Sequence, residues 1–138
     1  MNPQNLDIRW KQRFSNLTRA KKMLDGISKQ KIEDMDYVDI AGWIHIFDLV
    51  FELSWKTLRD YMQAQGESEP MDFTREVFSL GLARGWIIDG AIWIEMLADR
   101  NTSTHEYDEK AAEKIVENIQ LKYLPAIHSL YARFTEIT

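Results

Sequence analysis

The sequence predicts an all-α protein: an up-and-down four-helix bundle with one additional short helix. Two observations carry that expectation. Apolar residues recur at steps of three, four and seven along most of the chain, the period of one helical face, and nothing reads as a strand. Only three prolines and six glycines punctuate 138 residues, with no Pro/Gly/Ser linker, internal repeat or low-complexity tract, so residues 1–138 read as one domain.

Each element follows from its own stripe. Leu6, Trp10, Phe14, Leu17, Leu24 and Ile27 mark a first helix over about 7–31, and the acidic "KIEDMDYVD" reads as a connection. A long second helix, about 38–65, carries Trp43, Phe47, Val50, Phe51, Ser54, Leu58, Tyr61 and Met62, with Gly66 of "GESEP" as its C-cap. Asp72 is the expected N-cap of a short third helix whose apolar positions are Phe73, Val77, Phe78 and Leu82, ended by Gly85. Asp89 caps a fourth, "AIWIEMLADRN", with Ile92, Trp93, Met96 and Leu97 facing inward. The fifth starts near Asp108 or slightly earlier and carries Ala112, Ile115, Val116, Ile119, Tyr123, Ile127, Leu130 and Phe134. Pro125 inside it removes a backbone donor and is expected to kink the helix or split its end. The five tryptophans fall mainly on or beside the stripes, as core or interface filler, and a stripe left partly exposed would make a dimer.

Composition excludes several chemistries. Without cysteine there is no disulfide framework, thiolate metal site or thiol nucleophile. No apolar h-region opens the chain and no eighteen-residue apolar run is free of charge, so neither signal peptide nor membrane span is expected and the placement is cytoplasmic. The net charge of −5 argues against indiscriminate nucleic-acid binding over the whole surface. Its distribution says more. Residues 1–31 hold eight basic side chains against two acidic ones, whereas the rest of the chain sums to −11. Such asymmetry fits an electrostatic docking surface, or a solvated helix face balanced by acidic neighbouring helices.

The stretch "DRNTSTHEY", Asp99 to Tyr107, could carry chemistry. Arg100 falls in the last turn of the fourth helix, where a cation suits the dipole for purely structural reasons. Thr102, Ser103 and Thr104 compete for backbone hydrogen bonds and should stop or redirect that helix. Ser103 and Glu106 have capping-box spacing, which places His105 and Tyr107 in the first turn of the next helix. A histidine at that positive end stays available as a neutral base, and hydroxyls, helix-start donors and an arginine make a phosphate seat. Metal-independent RNA cleavage fits: His105 moves the proton and Arg100 offsets charge on the pentacoordinate phosphate. On the second helix Asp48, Glu52 and Lys56 share one face at four-residue intervals, with Glu52 and Lys56 ordered for an ion pair. His45 and His128 lack ligand spacing, and no glycine-rich phosphate loop or nucleophile elbow occurs, so no metal and no cofactor is expected.

"LDIRWKQRF", "FELSWKTLRDY", "TREVFSLGLARGWIIDGAIWIEMLADRNTSTHEYDEKAAEKI" and "YLPAIHSLYARF" resemble the nucleotidyltransferase substrate-binding protein family, a branch of the HEPN superfamily, over about residues 6–134. The sharpest likeness is R-x-x-x-x-H-x-Y, met by Arg100, His105 and Tyr107, with Asn101 after the arginine. The resemblance implies a HEPN-like bundle that forms a homodimer and pairs with a minimal nucleotidyltransferase encoded nearby. It also implies a ribonuclease toxin in which Arg100 and His105 are catalytic and the transferase, as antitoxin, moves AMP onto Tyr107. Asn101, Glu52 and Lys56 would then be supporting residues. Two alternatives stay open: a non-catalytic subunit that presents a nucleotide or other substrate to the transferase, and a structural dimer module whose arginine and histidine only cap helices.

Overall fold

The computed structural model describes residues 3–103 and 108–138. Helix α1 spans Pro3–Leu24 and continues as a 3-10 turn, Asp25–Lys29; a second 3-10 turn, Ile32–Asp34, precedes α2, Tyr37–Ala64. Then come α3, Thr74–Ala83, and α4, Gly90–Ser103. Helices α5, Glu109–Asn118, and α6, Leu124–Ile137, are joined without a gap by a π-helical turn, Ile119–Tyr123.

Pairings between elements give the topology. Arg13 reaches Asp60 and Gly26 lies against Trp43, so α1 and α2 run antiparallel. Trp10 packs on Phe134 and the Tyr131 hydroxyl donates to Thr18, which sets α6 antiparallel to α1. Asn118 bonds Asp99 and Lys122 meets Glu95, so the α5–α6 rod runs antiparallel to α4. The four long helices therefore alternate in direction, as an up-and-down bundle requires, and α3 is the additional short helix, packed on α2 and α4. Among the described residues no helix is long and apolar enough to cross a membrane.

Helix ends follow local chemistry. At α2 the Asp39 N–H donates to the Asp36 carboxylate (2.8 Å) and the Asp36 N–H to the Asp39 carboxylate (3.1 Å), a reciprocal cap built from two aspartates. Gly66 (φ +89°) and Gly85 (φ +81°) end α2 and α3 in the left-handed region, and each is followed by an N–H that closes back five residues, Glu67 to Met62 and Trp86 to Gly81. Glu67 and Arg84, just past those two ends, pair at 2.7 Å, and the guanidinium holds the Glu67 carboxyl down at about 2. Asp89 caps α4 through the Ala91 N–H.

Several expected details are corrected. Regular α-helix in the first element stops at Leu24 rather than near residue 31. Asp72 does not cap α3; the Glu76 carboxylate turns back to accept from the Asp72 and Phe73 N–H groups and does the capping from inside the helix. Phe73 and Leu82, assigned to the inner stripe of that helix, are exposed, because a ten-residue helix buries only its Val77 and Phe78 side. The end of α4, by contrast, falls within Thr102–Thr104 as expected: the helix runs to Ser103, with the Thr102 hydroxyl donating to the Ala98 carbonyl. Pro125 likewise divides the last helix as expected, with the π turn directly before α6.

The core is aromatic and contiguous. All eight residues of the last stripe, Ala112 through Phe134, are buried. Phe47, Phe51, Phe78, Trp93 and Tyr123 stack around the middle of α2, while Trp10, Phe14, Tyr61, Trp86, Tyr131 and Phe134 fill the end where α1, α2 and α6 meet. Each fully buried ring among them contributes about 1.5–3 kcal/mol and the half-buried Phe14, Tyr61, Trp86 and Tyr131 less, so the two clusters hold the helix register that positions the polar groups between them.

Candidate functional site

The C-terminal end of α4 faces the middle of α2, and the polar residues found there sit between the two helices. Arg100, in the last turn of α4, places Nη2 2.8 Å from the Glu52 carboxylate, across 48 positions of sequence. Glu52 also receives Lys56 at 3.4 Å from the next turn of its own helix. The expected surface pair Glu52–Lys56 is thus half of a three-residue bridge that fixes the Arg100 guanidinium against α2 while leaving about a third of that side chain in solvent. A charge-assisted N–H to carboxylate bond at this distance is among the stronger polar contacts, and its planar fork sets direction as well as distance. Lys56 lies over the Trp55 ring, which narrows its own motion. Asn101 is exposed in the same last turn of α4.

The backbone under Arg100 is anchored by its neighbour. Asp99 accepts from the Tyr123 hydroxyl and from Asn118 Nδ2 (3.2 Å), and the same phenol lies 3.3 Å from Glu95. The π turn is what brings Tyr123 round to this face, in keeping with the frequent use of such turns where a side chain must be aimed. Sequence reasoning counted Tyr123 only as an apolar stripe position. Its burial and the Asp99 and Glu95 carboxylates push its phenol well above the usual tyrosine range. An acid whose folded pKa is raised contributes stability below its unfolded value, near 10, and that contribution is lost as pH climbs past it. Tyr123→Phe is therefore expected to cost about 1–2 kcal/mol at neutral pH by removing hydrogen bonds to charged acceptors. It should also flatten the alkaline fall in stability, and urea unfolding across the alkaline range checks both.

Asp60 was missed as well. It lies on α2, has no exposed surface, and takes the Arg13 Nε at 2.5 Å on one oxygen and Arg59 at 3.1 Å on the other, with Arg9 at 3.6 Å. Part of the positive charge of the first segment is thus met by an acidic residue of the neighbouring helix, one of the two outcomes its asymmetry allowed. The legible signal was Arg9 and Arg13 at a four-residue step, which share a face of α1.

The described N-cap of α5 is Asp108, whose carboxylate accepts from the Lys110 N–H. His105 and Tyr107, and the capping box assigned to Ser103 and Glu106, lie outside the described residues. What the structure brings together is Arg100, Glu52 and Lys56, with Asn101 alongside: a fixed cation at the exit of α4, five residues before the histidine in the chain. The family model described as "Nucleotidyltransferase substrate binding protein like" matches residues 12–136, a span that contains all of these side chains. No curated protein matches the chain. The chain belongs to the nucleotidyltransferase substrate-binding protein-like family.

Proposed function

We infer that the chain is the partner subunit of a minimal nucleotidyltransferase and that it cleaves RNA without a metal through Arg100 and His105. The single observation that carries the reading is the Glu52–Arg100 bridge at 2.8 Å, which holds a guanidinium at the end of α4, immediately ahead of the histidine-bearing segment. In this reaction His105 takes the proton from the 2′-hydroxyl, the 2′-oxygen attacks the adjacent phosphorus, and the 5′-oxygen leaves and is protonated. Arg100 offsets the charge that builds on the phosphoryl oxygens. AMP transferred from ATP to the Tyr107 hydroxyl, with release of pyrophosphate, sets a phosphodiester two residues from His105, where it competes for Arg100 and silences the site. Two copies related by a two-fold axis bring two such motifs to one cleft.

A second reading is favoured by the family's own description: a non-catalytic subunit that presents substrate to the transferase. The two differ in what the chain does alone. Expressed without its transferase, the wild-type chain is expected to arrest growth, with relief by His105→Ala or by the transferase encoded beside it. A stable complex with the transferase and unimpaired growth with the chain alone would instead leave the presenting role.

A further inference from the structure

Along α2 the charged residues next to Arg100 continue without a gap. Glu52 links Arg100 to Lys56; Lys56 and Arg59 both lie over the Trp55 ring, at 5.6 and 5.2 Å; Arg59 then holds Asp60, and Asp60 holds Arg13 of α1. From Glu52 to Asp60 the helix rises about 12 Å, so this is a strip and not a point. Buried Asp60 takes Arg13 on one oxygen and Arg59 on the other, with Arg9 close behind, so three guanidiniums gather at one carboxylate. Arg13 and Arg59 also keep 25% and 22% of their side chains in solvent. Arg9 and Arg13 of α1 with Lys56 and Arg59 of α2 stand against Glu52 and Asp60, so this face is positive on a chain whose sum is −5.

We propose that the strip Lys56–Arg59–Arg13 is a phosphodiester track that carries a single-stranded nucleic acid to Arg100, with buried Asp60 as the post that fixes two guanidiniums at its edge. It rests on the RNA-cleavage reading for the identity of the strand, but the anion chemistry stands on the arginines themselves. Guanidiniums fixed at one edge present their remaining N–H donors as a fork that suits phosphate oxygens. Chain neutralisation by such contacts gives binding that is tolerant of sequence and sensitive to salt.

The test uses a fluorescent 2′-O-methyl oligouridylate of about twelve nucleotides, which lacks the attacking hydroxyl and so reports binding apart from cleavage. Anisotropy titrations over a range of salt are expected to show Arg59→Gln and Arg13→Gln each weakening binding by roughly tenfold, with the slope of log affinity against log salt reduced by about 0.7 per side chain. Arg59→Lys should keep the slope, and Lys114→Gln on α5 should leave both quantities unchanged. Melting curves of each variant separate lost contacts from lost fold. Equal affinity and slope in wild type, Arg13→Gln and Arg59→Gln would overturn the track. So would failure of the oligonucleotide to bind while Arg59→Gln weakens the complex with the nucleotidyltransferase, because the strip would then serve a protein. Salt-dependent binding that needs Arg59, in a chain that does not cleave RNA, would remove the ribonuclease reading and leave the track standing.

Discussion

Asp60→Ala is expected to destabilise the bundle by about 3 kcal/mol, well beyond the loss of an exposed ion pair. The carboxylate is fully buried and holds guanidiniums from both α1 and α2. Removing one partner of a buried ion pair costs about 3–5 kcal/mol, mostly because the charge left behind has lost its solvation and its partner. The low end applies because Arg13 and Arg59 retain some contact with water and can swing outward. Lys114→Ala, which removes a solvent-exposed pair with Glu117, should by contrast change stability by less than about 1 kcal/mol. Chemical denaturation of the two variants beside wild type checks the ranking. Similar midpoints for Asp60→Ala and wild type would mean that α1 is held to α2 by its apolar stripe alone.

His105→Ala is expected to lower RNA cleavage by about 10²–10⁴-fold, the usual contribution of a positioned general acid or base. Arg100→Ala should cost about 10²–10³-fold, the range for removing one charge-stabilising donor, and Arg100→Lys should recover part of it because charge returns without the planar fork. Glu52→Gln probes positioning. The amide oxygen can still accept from Nη2, but the ionic restraint weakens, so the rate is expected to fall by about tenfold with little loss of stability. A structural cap would behave otherwise: Arg100→Ala would shift melting by about 1 kcal/mol and leave the RNA-directed activity where it was.

The bundle was legible because its helices are long and their apolar periods uninterrupted. The stripe from Ala112 to Phe134 could be read residue by residue, as could the glycine ends at Gly66 and Gly85 and the cap at Asp89. Errors fell where a local rule had a close competitor. Asp72 and Glu76 both satisfy cap patterns for α3, and it is Glu76 that accepts the Asp72 and Phe73 N–H groups. The hydroxyl run at Thr102–Thr104, by contrast, marked the end of α4 correctly, since the helix runs to Ser103. The polar network was legible only in part. Glu52 and Lys56 declare themselves by a four-residue step, while the bond from Glu52 to Arg100 depends on how α4 lies on α2. Asp60 reads as a surface residue in "KTLRDY", and only the register of α1 against α2 buries it under Arg13. Tyr123 looks like one more aromatic on an inner stripe until the π turn places its hydroxyl on Asp99.

Whether the end of α4 carries chemistry or only a helix cap is decided by purified wild type and His105→Ala, incubated side by side with single-stranded RNA in excess chelator. Wild type is expected to yield fragments with 2′,3′-cyclic phosphate ends, and the variant to lose at least about a hundredfold of that activity. Equal cleavage by both proteins, or none by wild type prepared without its transferase, would contradict a catalytic role for the histidine.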